Sequence, residues 1–311
     1  ITGASGFIGS QLLVRLGKDA NIRILSRDKK ICNNINIFYC DLKLNIIPEV
    51  AFENIDVMYH IAGLAHDTLN NIYKKDDYFK VNLYATIKLA KIAKKKCIKK
   101  FIYISSIKAA GDISSETGIT ETDVGKKNSF YEQSKYKAEE YLLNFQNYTD
   151  MIISIIRPAL VYGNNVKGNI LKMITYIDKN LFLPPPNIKN KISMIHIENL
   201  IDLLFLIEKE SFNKKGHIFN AVDSNLYSTR EIYDFIYFSL KGKKNYIFIP
   251  IFGYKILSII GSIINVFIQF PYTIDTYNKL VKKQIFISKK ASNLLGFSPK
   301  NDFRTSIKDI I

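Results

Sequence analysis

Tyr131 and Lys135, four residues apart, are the pair in this sequence best suited to acid–base chemistry. On an α-helix, positions i and i+4 share a face, so the phenol and the ammonium would point into the same space. A free tyrosine has a pKa of about 10, and a neighbouring cation favours the tyrosinate and lowers that pKa. Ser105 and Ser106 end the preceding predicted strand, and ligands of α/β sheets bind at strand ends. These four residues therefore predict one acid–base site.

Three glycines spaced by three, Gly3, Gly6 and Gly9, form a turn between an apolar opening strand and a helix. Glycines can make the tight turn, let the backbone approach a pyrophosphate, and let helix and sheet pack closely. The helix then presents its free N–H groups and the positive end of its dipole to that anion. We predict that this turn, with Phe7 and Ile8 in the first helical turn, binds a dinucleotide.

Apolar runs alternate with helical patterns through the first half of the chain, which predicts a parallel sheet with helices on both faces. The strand candidates are residues 22–25, 35–39, 57–61, 101–104 and 151–156. A helix over 82–96 would keep its apolar residues inward and its lysines in solvent. The predicted fold class is therefore α/β, a Rossmann-like doubly wound parallel sheet, with an NAD(P)-binding domain over 1–162.

The second half of the chain is predicted to form a smaller lobe, because helices dominate it and strands become short. We assign 163–311 mainly to this substrate-binding lobe. It is expected to be partly interleaved with the first, because a segment near 192–222 returns to the main body, beginning with 194–197. Short strand-like pieces are expected at 217–220 and 246–249.

The composition is that of a globular protein, with 47% hydrophobic residues among 311 and a formal net charge of +16. The lysines are spread along the chain without an aromatic–basic recognition motif, so no nucleic-acid partner is expected. Three cysteines without C-x-x-C or zinc spacing favour a reducing cytosol, and we predict a cytoplasmic location. No signal peptide is visible, but the chain opens inside its first strand, so further residues are expected before Ile1.

The stretch 246–274 contains a single charge, Lys255, and has the apolar character of a membrane span. Polar residues and Pro271 interrupt the stretch, which favours a buried helix of the second lobe. Peripheral contact with a membrane surface is the second interpretation, and a true span is the third.

Taken in order, these motifs resemble the extended short-chain dehydrogenase/reductases, in the NAD-dependent epimerase/dehydratase family. The glycine turn and Tyr131-x-x-x-Lys135 carry this resemblance over nearly the whole chain, together with further matching segments. These are Asp41-Leu42, His60-Ile61-Ala62-Gly63, Val81-Asn82, Ser105-Ser106, 157–163, 288–291 and 295–299. Residues 104–108 and 166–169 resemble a branch acting on UDP-linked sugars for cell-surface polysaccharide, which contains UDP-hexose 4-epimerases and 4-ketoreductases.

The resemblance implies a role for each matched side chain. Tyr131 is expected to be the general acid/base on a sugar hydroxyl or ketone, and Ser106 to hydrogen-bond the same oxygen. Lys135 is expected to hold the nicotinamide ribose and to tune Tyr131, and Asn169 to bind substrate. The cofactor, NAD or NADP, is expected to contact Gly3, Gly6, Phe7, Ile8, Gly9, Asp41, Leu42, Ile61, Ala62, Gly63, Asn82, Tyr131, Lys135 and Pro158. No metal is required, because the nicotinamide carries the hydride.

Two positions depart from the family pattern. Arg27 follows the second strand where relatives often place an aspartate against the ribose, so it could stack on adenine or bind a 2′-phosphate. Lys191 stands where relatives use an arginine against the nucleotide diphosphate, and it would act as a point charge without bidentate geometry. His60 and His196 are expected to be packed residues rather than catalysts.

The resemblance predicts hydride transfer at C4 of a UDP-linked hexose, by an epimerase or by a ketoreductase. Ile107 and Lys108 follow Ser106 where a sugar dehydratase needs an acidic pair, so dehydration is disfavoured. The alternative is an NADPH-dependent reductase of a hydrophobic, steroid- or flavonoid-like ketone, with 246–274 lining its pocket. By analogy with relatives, a homodimer through the helices 82–96 and 131–145 is expected.

Overall fold

The main sheet of the protein is parallel. The structure, a computed structural model, describes residues 1–17, 21–28, 36–65, 73–113, 115, 117–212, 216–266 and 272–311. Its strands are β1 (Arg23–Ser26), β2 (Asn36–Tyr39), β3 (Val57–His60), β4 (Lys100–Ile104), β5 (Ile152–Pro158) and β8 (His217–Ala221). Thr2 pairs with Leu25 and with His60, so the opening of the chain lies between β1 and β3. The order across the sheet is therefore β2, β1, Thr2, β3, β4, β5 and β8.

Helices cover both faces of this sheet. They include α1 (Phe7–Leu16), α2 (Lys75–Tyr78), α3 (Ala85–Lys95), α4 (Phe130–Phe145) and α6 (Ile197–Lys209). Phe101 and Tyr103 of β4 pack with α3 and α4, whereas Ile102 and Ile104 pack with α1 and α6 on the other face. A strand buried on both faces is apolar along its length, as β4 is after Lys100. The predicted fold class is confirmed, and the five predicted strands are present with ends shifted by at most two residues; Ile35 lies outside the described residues.

The second half of the chain adds a small mixed sheet of β6 (Leu160–Tyr162), β7 (Ile192–His196) and β9 (Leu226–Tyr227). Its further helices are α5 (Asn169–Asp178), α7 (Thr229–Lys241), α8 (Ile251–Ile264), α9 (Ile274–Val281), α10 (Lys289–Leu295) and α11 (Phe303–Ile310). At the start of the segment predicted to return to the main body, β7 pairs with β6, which leaves the main sheet after Ala159, and Ile195 packs with Ile102 and Ile156 of that sheet. Within the predicted segment 192–222, β8 is the strand that joins the main sheet.

The apolar stretch 246–274 differs from its prediction in two ways. Residues 246–249 form no strand, since Tyr246 is 87% exposed and no described strand pairs with them. The expected buried helix is α8, but only one side of it faces the protein, through Tyr254, while Phe252 is exposed. Among the described residues, no helix combines the length and the apolar character that crossing a bilayer requires. Residues 267–271 lie outside the described part of the chain.

Gly3→Ala should destabilise the fold through one close backbone approach. Gly3 has a φ of +73°, and a Cβ there would lie 2.6 Å from the amide nitrogen of Ala62. Gly17 also has a positive φ, +68°, but no described residue lies within 4 Å of its Cβ position. Gly17→Ala therefore carries only the backbone strain, and Gly3→Ala should lose about 2 kcal/mol more in the free energy of unfolding. Urea unfolding of both variants measures the difference, and equal losses would contradict the close approach.

Candidate active site

The glycine turn is closed tightly against the sheet. The amide of Gly6 donates to the carbonyl of Gly3 at 3.0 Å, and a Cβ on Gly9 would overlap that carbonyl. Gly6 precedes the first residue of α1, and within the described residues no side chain caps this helix and no acidic residue lies in its first turn. The free N–H groups at the start of α1, next to glycines that leave room for close approach, form a site that fits an anion such as a pyrophosphate.

Buried hydrogen bonds tie the opening of the chain to β3 and α3. Thr2 Oγ1 lies 2.7 Å from His60 Nδ1 and accepts from the amide of Ala62, and His60 Nε2 lies 2.8 Å from Thr86 Oγ1. Burial, with the charge of Lys135 second, lowers the pKa of His60 to about 3. His60 is therefore a neutral, fully buried residue, in agreement with its predicted packing role.

Asn82 holds the loop after β3 against α4. It lies in a π-helical turn, Phe79–Tyr84, that leads into α3, and such turns are frequent at functional sites. Asn82 Oδ1 accepts from the amide of Leu64 at 2.8 Å, and its Nδ2 donates to the Leu64 carbonyl and to Ser134 Oγ. Ser134 in turn donates to the carbonyl of Tyr131 at 2.8 Å. A predicted cofactor residue thus connects the loop to the helix of the acid–base pair.

Lys135 is buried where three segments meet. Its Nζ donates to the carbonyl of Ile104, the last residue of β4, at 2.9 Å, and lies 4.8 Å from the ring centroid of Tyr103. A Cβ on Gly63 would come within 3.0 Å of both Lys135 Nζ and Asn82 Oδ1, so only a glycine leaves this approach open. Burial lowers the pKa of Lys135 to about 8, while Glu139 acts in the opposite direction.

Tyr131 and Ser106 meet at the carboxyl end of β4. Ser129 and Glu132 form a capping box that starts α4, which places Tyr131 in its first turn. Ser106 is the N-cap of the 3-10 turn Ile107–Ala110, accepts a hydrogen bond from the amide of Lys108, and lies close enough to the half-buried Tyr131 to lower the pKa of its phenol. The structure therefore brings Ser106, Tyr131 and Lys135 together around one strand end, as predicted from their spacing.

The pKa of Tyr131 runs against the direction expected from its lysine neighbour. Burial raises the pKa above its usual value, and the neighbouring Ser106 partly opposes that shift. Lys135 instead directs its ammonium to the Ile104 carbonyl. Ser105, the other candidate hydroxyl, is buried, and its Oγ has no hydrogen-bond partner among the described residues. Ser106 is therefore the serine in contact with the phenol.

A buried ion pair that sequence analysis did not single out fixes α4 to β5. Arg157 donates from Nε and Nη2 to the carboxylate of Glu139 at 2.6 to 3.1 Å, and both side chains are 2% exposed. Arg157 also donates to the carbonyl of Glu121. Glu139 continues the four-residue spacing from Tyr131 and Lys135, and that spacing was the signal available in the sequence.

The remaining predicted cofactor residues lie near the carboxyl edge of the sheet or beside the turn. The carboxylate of Asp41 accepts from the amides of Lys43 and Leu44 at 2.9 and 3.1 Å and so shapes the loop after β2, while Leu42 packs on the core. Arg27 is exposed directly after β1. Contacts of these residues with adenine or ribose stay predictions. The others are partly or fully buried at the turn or at strand ends: Phe7, Ile8, Ile61, Ala62 and Pro158.

The two residues predicted to bind substrate lie in the second lobe. Asn169 is exposed as the first residue of α5. Lys191, 41% exposed, lies 3.8 Å from Glu231 and lines a cavity of about 530 Å³ with Arg230 and residues 245–248. Their contact with substrate stays a prediction.

A second buried polar cluster, centred on Asp223, joins the two lobes. Tyr162 Oη donates to Asp223 at 2.6 Å, the amide of His196 donates at 3.0 Å, and Asn199 donates at 2.7 Å. Burial raises the pKa of Asp223 to about 6, against the stabilising effect of these donors. His196 is the N-cap of α6 and packs edge-on against Tyr162, in agreement with its predicted structural role. Sequence analysis missed Asp223, which no motif marks.

Lys135→Met should change how stability depends on pH. The folded-state pKa is lowered from 10.5 to about 8, so between these values the unfolded chain binds more protons than the folded chain. Burial of the ammonium weakens folding below about pH 8, and this cost disappears as pH rises toward 10.5. Relative to Lys135→Met, the wild-type free energy of unfolding should rise by about 3 kcal/mol across that window.

Urea unfolding at a series of pH values measures this difference. Lys137→Met, at an exposed position on the same helix, is the matched control and should reproduce the wild-type pH dependence. A wild-type minus Lys135→Met difference that is constant with pH would show that Lys135 is not a buried ammonium.

Comparisons with known proteins agree with this geometry. The family model "NAD dependent epimerase/dehydratase family" matches residues 1–221. UDP-glucose 4-epimerase of Vibrio cholerae is 29% identical over 271 residues, covering 82% of this chain and 80% of the relative. An Escherichia coli O157:H7 protein, N-acetyl-alpha-D-glucosaminyl-diphospho-ditrans,octacis-undecaprenol 4-epimerase, is 24% identical, covering 66% of this chain and 61% of the relative.

The fold is also that of solved epimerases. The structure of UDP-glucuronic acid 4-epimerase from Bacillus cereus in complex with NAD superposes with a TM-score of 0.77 at 19% identity, covering 99% of this chain and 95% of the other. The nicotinamide dinucleotide predicted from the glycine turn is the cofactor of the matched family. With the family model spanning more than half of the sequence, the chain belongs to the NAD-dependent epimerase/dehydratase family.

Proposed function

We propose that this enzyme inverts C4 of a UDP-linked hexose, with Tyr131 as the general acid/base. The observation that carries the proposal is the close approach of Ser106 to Tyr131 at the end of β4, one helical turn from the buried Lys135. Similarity to the 4-epimerase of Vibrio cholerae supports the choice of an epimerase. A ketoreductase acting on the 4-keto form of such a sugar is the alternative within the same chemistry.

The proposed chemistry needs one proton and one hydride to leave the carbinol. Tyr131 Oη takes the proton of the sugar O4 as C4 becomes a ketone, and returns it to O4 when C4 is reduced on its opposite face. Ser106 Oγ orients that oxygen. The dinucleotide, when bound, supplies hydride acceptance and return at its nicotinamide ring. Lys135 would hold the ribose hydroxyls, and the glycine turn the pyrophosphate.

Tyr131 has two protonation tasks with opposite requirements. Burial raises the pKa of its phenol, which keeps the proton available for a ketone oxygen. Taking a proton from a hydroxyl requires the tyrosinate, which Ser106 and the positive charge of an oxidised nicotinamide would both favour. The protonated resting state fits a ketoreductase directly, whereas an epimerase needs the cofactor's charge to start its cycle.

Two other reactions are less well supported. Ile107, directly after Ser106, is buried and apolar and could not serve as the acid that water elimination needs. Reduction of a hydrophobic ketone is not favoured, because the relatives compared above are named for sugar 4-epimerases. UDP should inhibit a nucleotide-sugar enzyme and should not inhibit a reductase of such ketones.

A second substrate class is the same hexose diphosphate carried on a polyprenol. The cavity beside Lys191 is bordered by exposed apolar residues, Tyr246, Ile247 and Phe248, which favours an apolar group next to a diphosphate. The Escherichia coli relative is named for such a substrate. Activity on a polyprenyl-diphosphate hexosamine but not on UDP-hexoses would select this class.

Tyr131→Phe should lower the turnover number by a factor of about 10² to 10⁴, because the variant has no group that moves the proton. Dinucleotide binding should be retained, since the phenol hydroxyl is not part of the glycine turn. Tyr136→Phe, at a half-buried tyrosine on the same helix, is the matched control and should keep wild-type turnover. Epimer interconversion by chromatography and dinucleotide binding by calorimetry give the two readouts. Undiminished turnover in Tyr131→Phe would remove this residue from the mechanism.

The reduced nicotinamide absorbs at about 340 nm, so absorbance at that wavelength separates an epimerase from a ketoreductase. We expect UDP-hexose C4 epimers to interconvert without net change in absorbance, because the hydride returns to the sugar. Stoichiometric loss of absorbance with a UDP-4-keto sugar and added NADPH would instead establish a ketoreductase.

A further inference from the structure

The helix α8 has its apolar side in solvent. The residues that face the protein are Tyr254, Ser258 and Gly261, spaced by four and three. On the opposite side, Phe252 is 72% exposed and Ile263 is 63% exposed, and the same stripe continues through further isoleucines. These are Ile256, Ile259 and Ile260, all of them exposed. A helix on the surface of a soluble protein normally has its apolar side toward the core and its polar side toward solvent. The orientation of α8 is therefore inverted.

The exposed stripe continues into the segment before the helix. Tyr246, Ile247 and Phe248 are exposed at 87%, 58% and 68%. We call these three residues, together with Phe252, Ile256, Ile259, Ile260 and Ile263 of α8, the apolar face. Soluble proteins rarely expose contiguous apolar patches of more than a few hundred Å², and larger ones mark interaction sites. Ordinary exposed apolar residues, scattered singly, do not form a stripe on one helix.

The inversion does not come from a loosely attached helix. The ring of Tyr254 packs edge-on against Tyr272, 6.0 Å between centroids, and Tyr272 packs on Phe182. Tyr272 Oη donates to the carbonyl of Leu181 and accepts from the amide of Leu183. Ser262 Oγ accepts from the amide of Ile274 at the start of α9. Tyr254 and the small side chains of α8 therefore fit the protein closely, and Phe252 and the isoleucines are left outside.

All charged residues in the stretch that carries the apolar face are positive. Residues 241–266 contain four lysines and no acidic residue. Lys241 is paired with Asp178, whereas Lys243, Lys244 and Lys255 are exposed. Lysines next to a bilayer bury their aliphatic stems and keep their ammonium groups at the lipid headgroups. An apolar stripe flanked by lysines is the pattern of a helix that lies in the interface of an anionic membrane.

We propose that the apolar face docks this enzyme on an anionic lipid bilayer, with α8 lying in the plane of the interface. Phe252, Ile259 and Ile263 would enter the boundary between headgroups and acyl chains, and Lys243, Lys244 and Lys255 would contact anionic headgroups. This proposal does not depend on which sugar the enzyme uses. Charge favours lipid over a second copy of the chain, because a symmetric contact through this face would bring the lysines of both copies together.

A single-tryptophan variant tests the docking. The chain contains no tryptophan, so Phe252→Trp introduces one fluorophore into the apolar face. With phosphatidylcholine vesicles that contain phosphatidylglycerol, its emission should shift to shorter wavelength and be quenched by brominated acyl chains. Tyr148→Trp is the matched control, since Tyr148 is also 72% exposed but lies on a 3-10 turn after α4. Its emission should not change.

Vesicle flotation of two triple variants, with a third as the matched control, separates the apolar and the charged contributions to binding. Phe252→Gln/Ile259→Gln/Ile263→Gln should lose most of the binding, whereas Val14→Gln/Val50→Gln/Tyr148→Gln, also at exposed apolar positions, should keep it. Lys243→Gln/Lys244→Gln/Lys255→Gln should weaken binding by about a hundred-fold, because each lysine near an anionic surface contributes about 1 kcal/mol. Turnover of a soluble UDP-hexose should be unchanged in all of them, so the docking and the proposed reaction fail independently.

Three results would overturn the proposal. Phe252→Trp could show no shift with anionic vesicles, or the same shift as Tyr148→Trp. Flotation could be abolished by salt and yet be unaffected by the glutamine substitutions of the apolar face, which would show adhesion through net charge alone. Finally, light scattering could reveal a dimer that these glutamine substitutions dissociate, with no vesicle binding, which would assign the apolar face to contact between two copies.

Discussion

The burial of the Lys135 ammonium is the constraint around which the site is arranged. A cation taken out of water needs partners, and here they are the carbonyl at the end of β4, the ring of Tyr103 and the more distant carboxylate of Glu139. Each partner belongs to a different part of the site. Any shift of α4 along the sheet would leave the ammonium without its acceptor, so the helix has one position that stabilises it.

The face of α4 that carries this lysine also sets the other two contacts. Tyr131, Lys135 and Glu139 follow at intervals of four and meet Ser106, the Ile104 carbonyl and Arg157 respectively. The first two partners lie at the end of β4 and the third is in β5. The Glu139–Arg157 pair is buried and bidentate, so it fixes α4 to β5 at a point away from solvent. The phenol of Tyr131 lies at the other end of the same stripe, at the edge of the crevice. Positioning and chemistry are thus distributed along one stripe of one helix.

Local patterns predicted the parts of this arrangement that depend on neighbours in sequence. The glycine spacing, the strand periodicity and the i, i+4 relation of Tyr131 and Lys135 all follow from backbone geometry, and the main sheet followed from them. Partners that are distant in sequence could not be predicted. Asn82 with Ser134, Glu139 with Arg157 and Asp223 with Tyr162 become visible only when the strands are ordered. The predicted lowering of the Tyr131 pKa was wrong, because burial of the phenol outweighs the effect of a lysine whose ammonium points elsewhere.

The second lobe was harder to predict for a related reason. Its apolar residues do not all serve a core, so hydropathy alone did not distinguish a buried helix from one that presents its isoleucines to the exterior. Strand assignment at 246–249 failed in the same way, since an apolar run without a neighbouring strand has nothing to pair with. These exceptions lie together, on the side of the molecule where we propose that it meets lipid.

A crystal structure with the dinucleotide bound tests the central claim most directly. The account predicts the pyrophosphate on the amides of the glycine turn, Lys135 on the ribose hydroxyls, and the nicotinamide ring beside the Tyr131–Ser106 pair. The Oη of Tyr131 should then face the substrate oxygen at a hydrogen-bond distance of about 2.6–3.2 Å. A nicotinamide ring bound away from Tyr131, or a dinucleotide that leaves the turn empty, would contradict it.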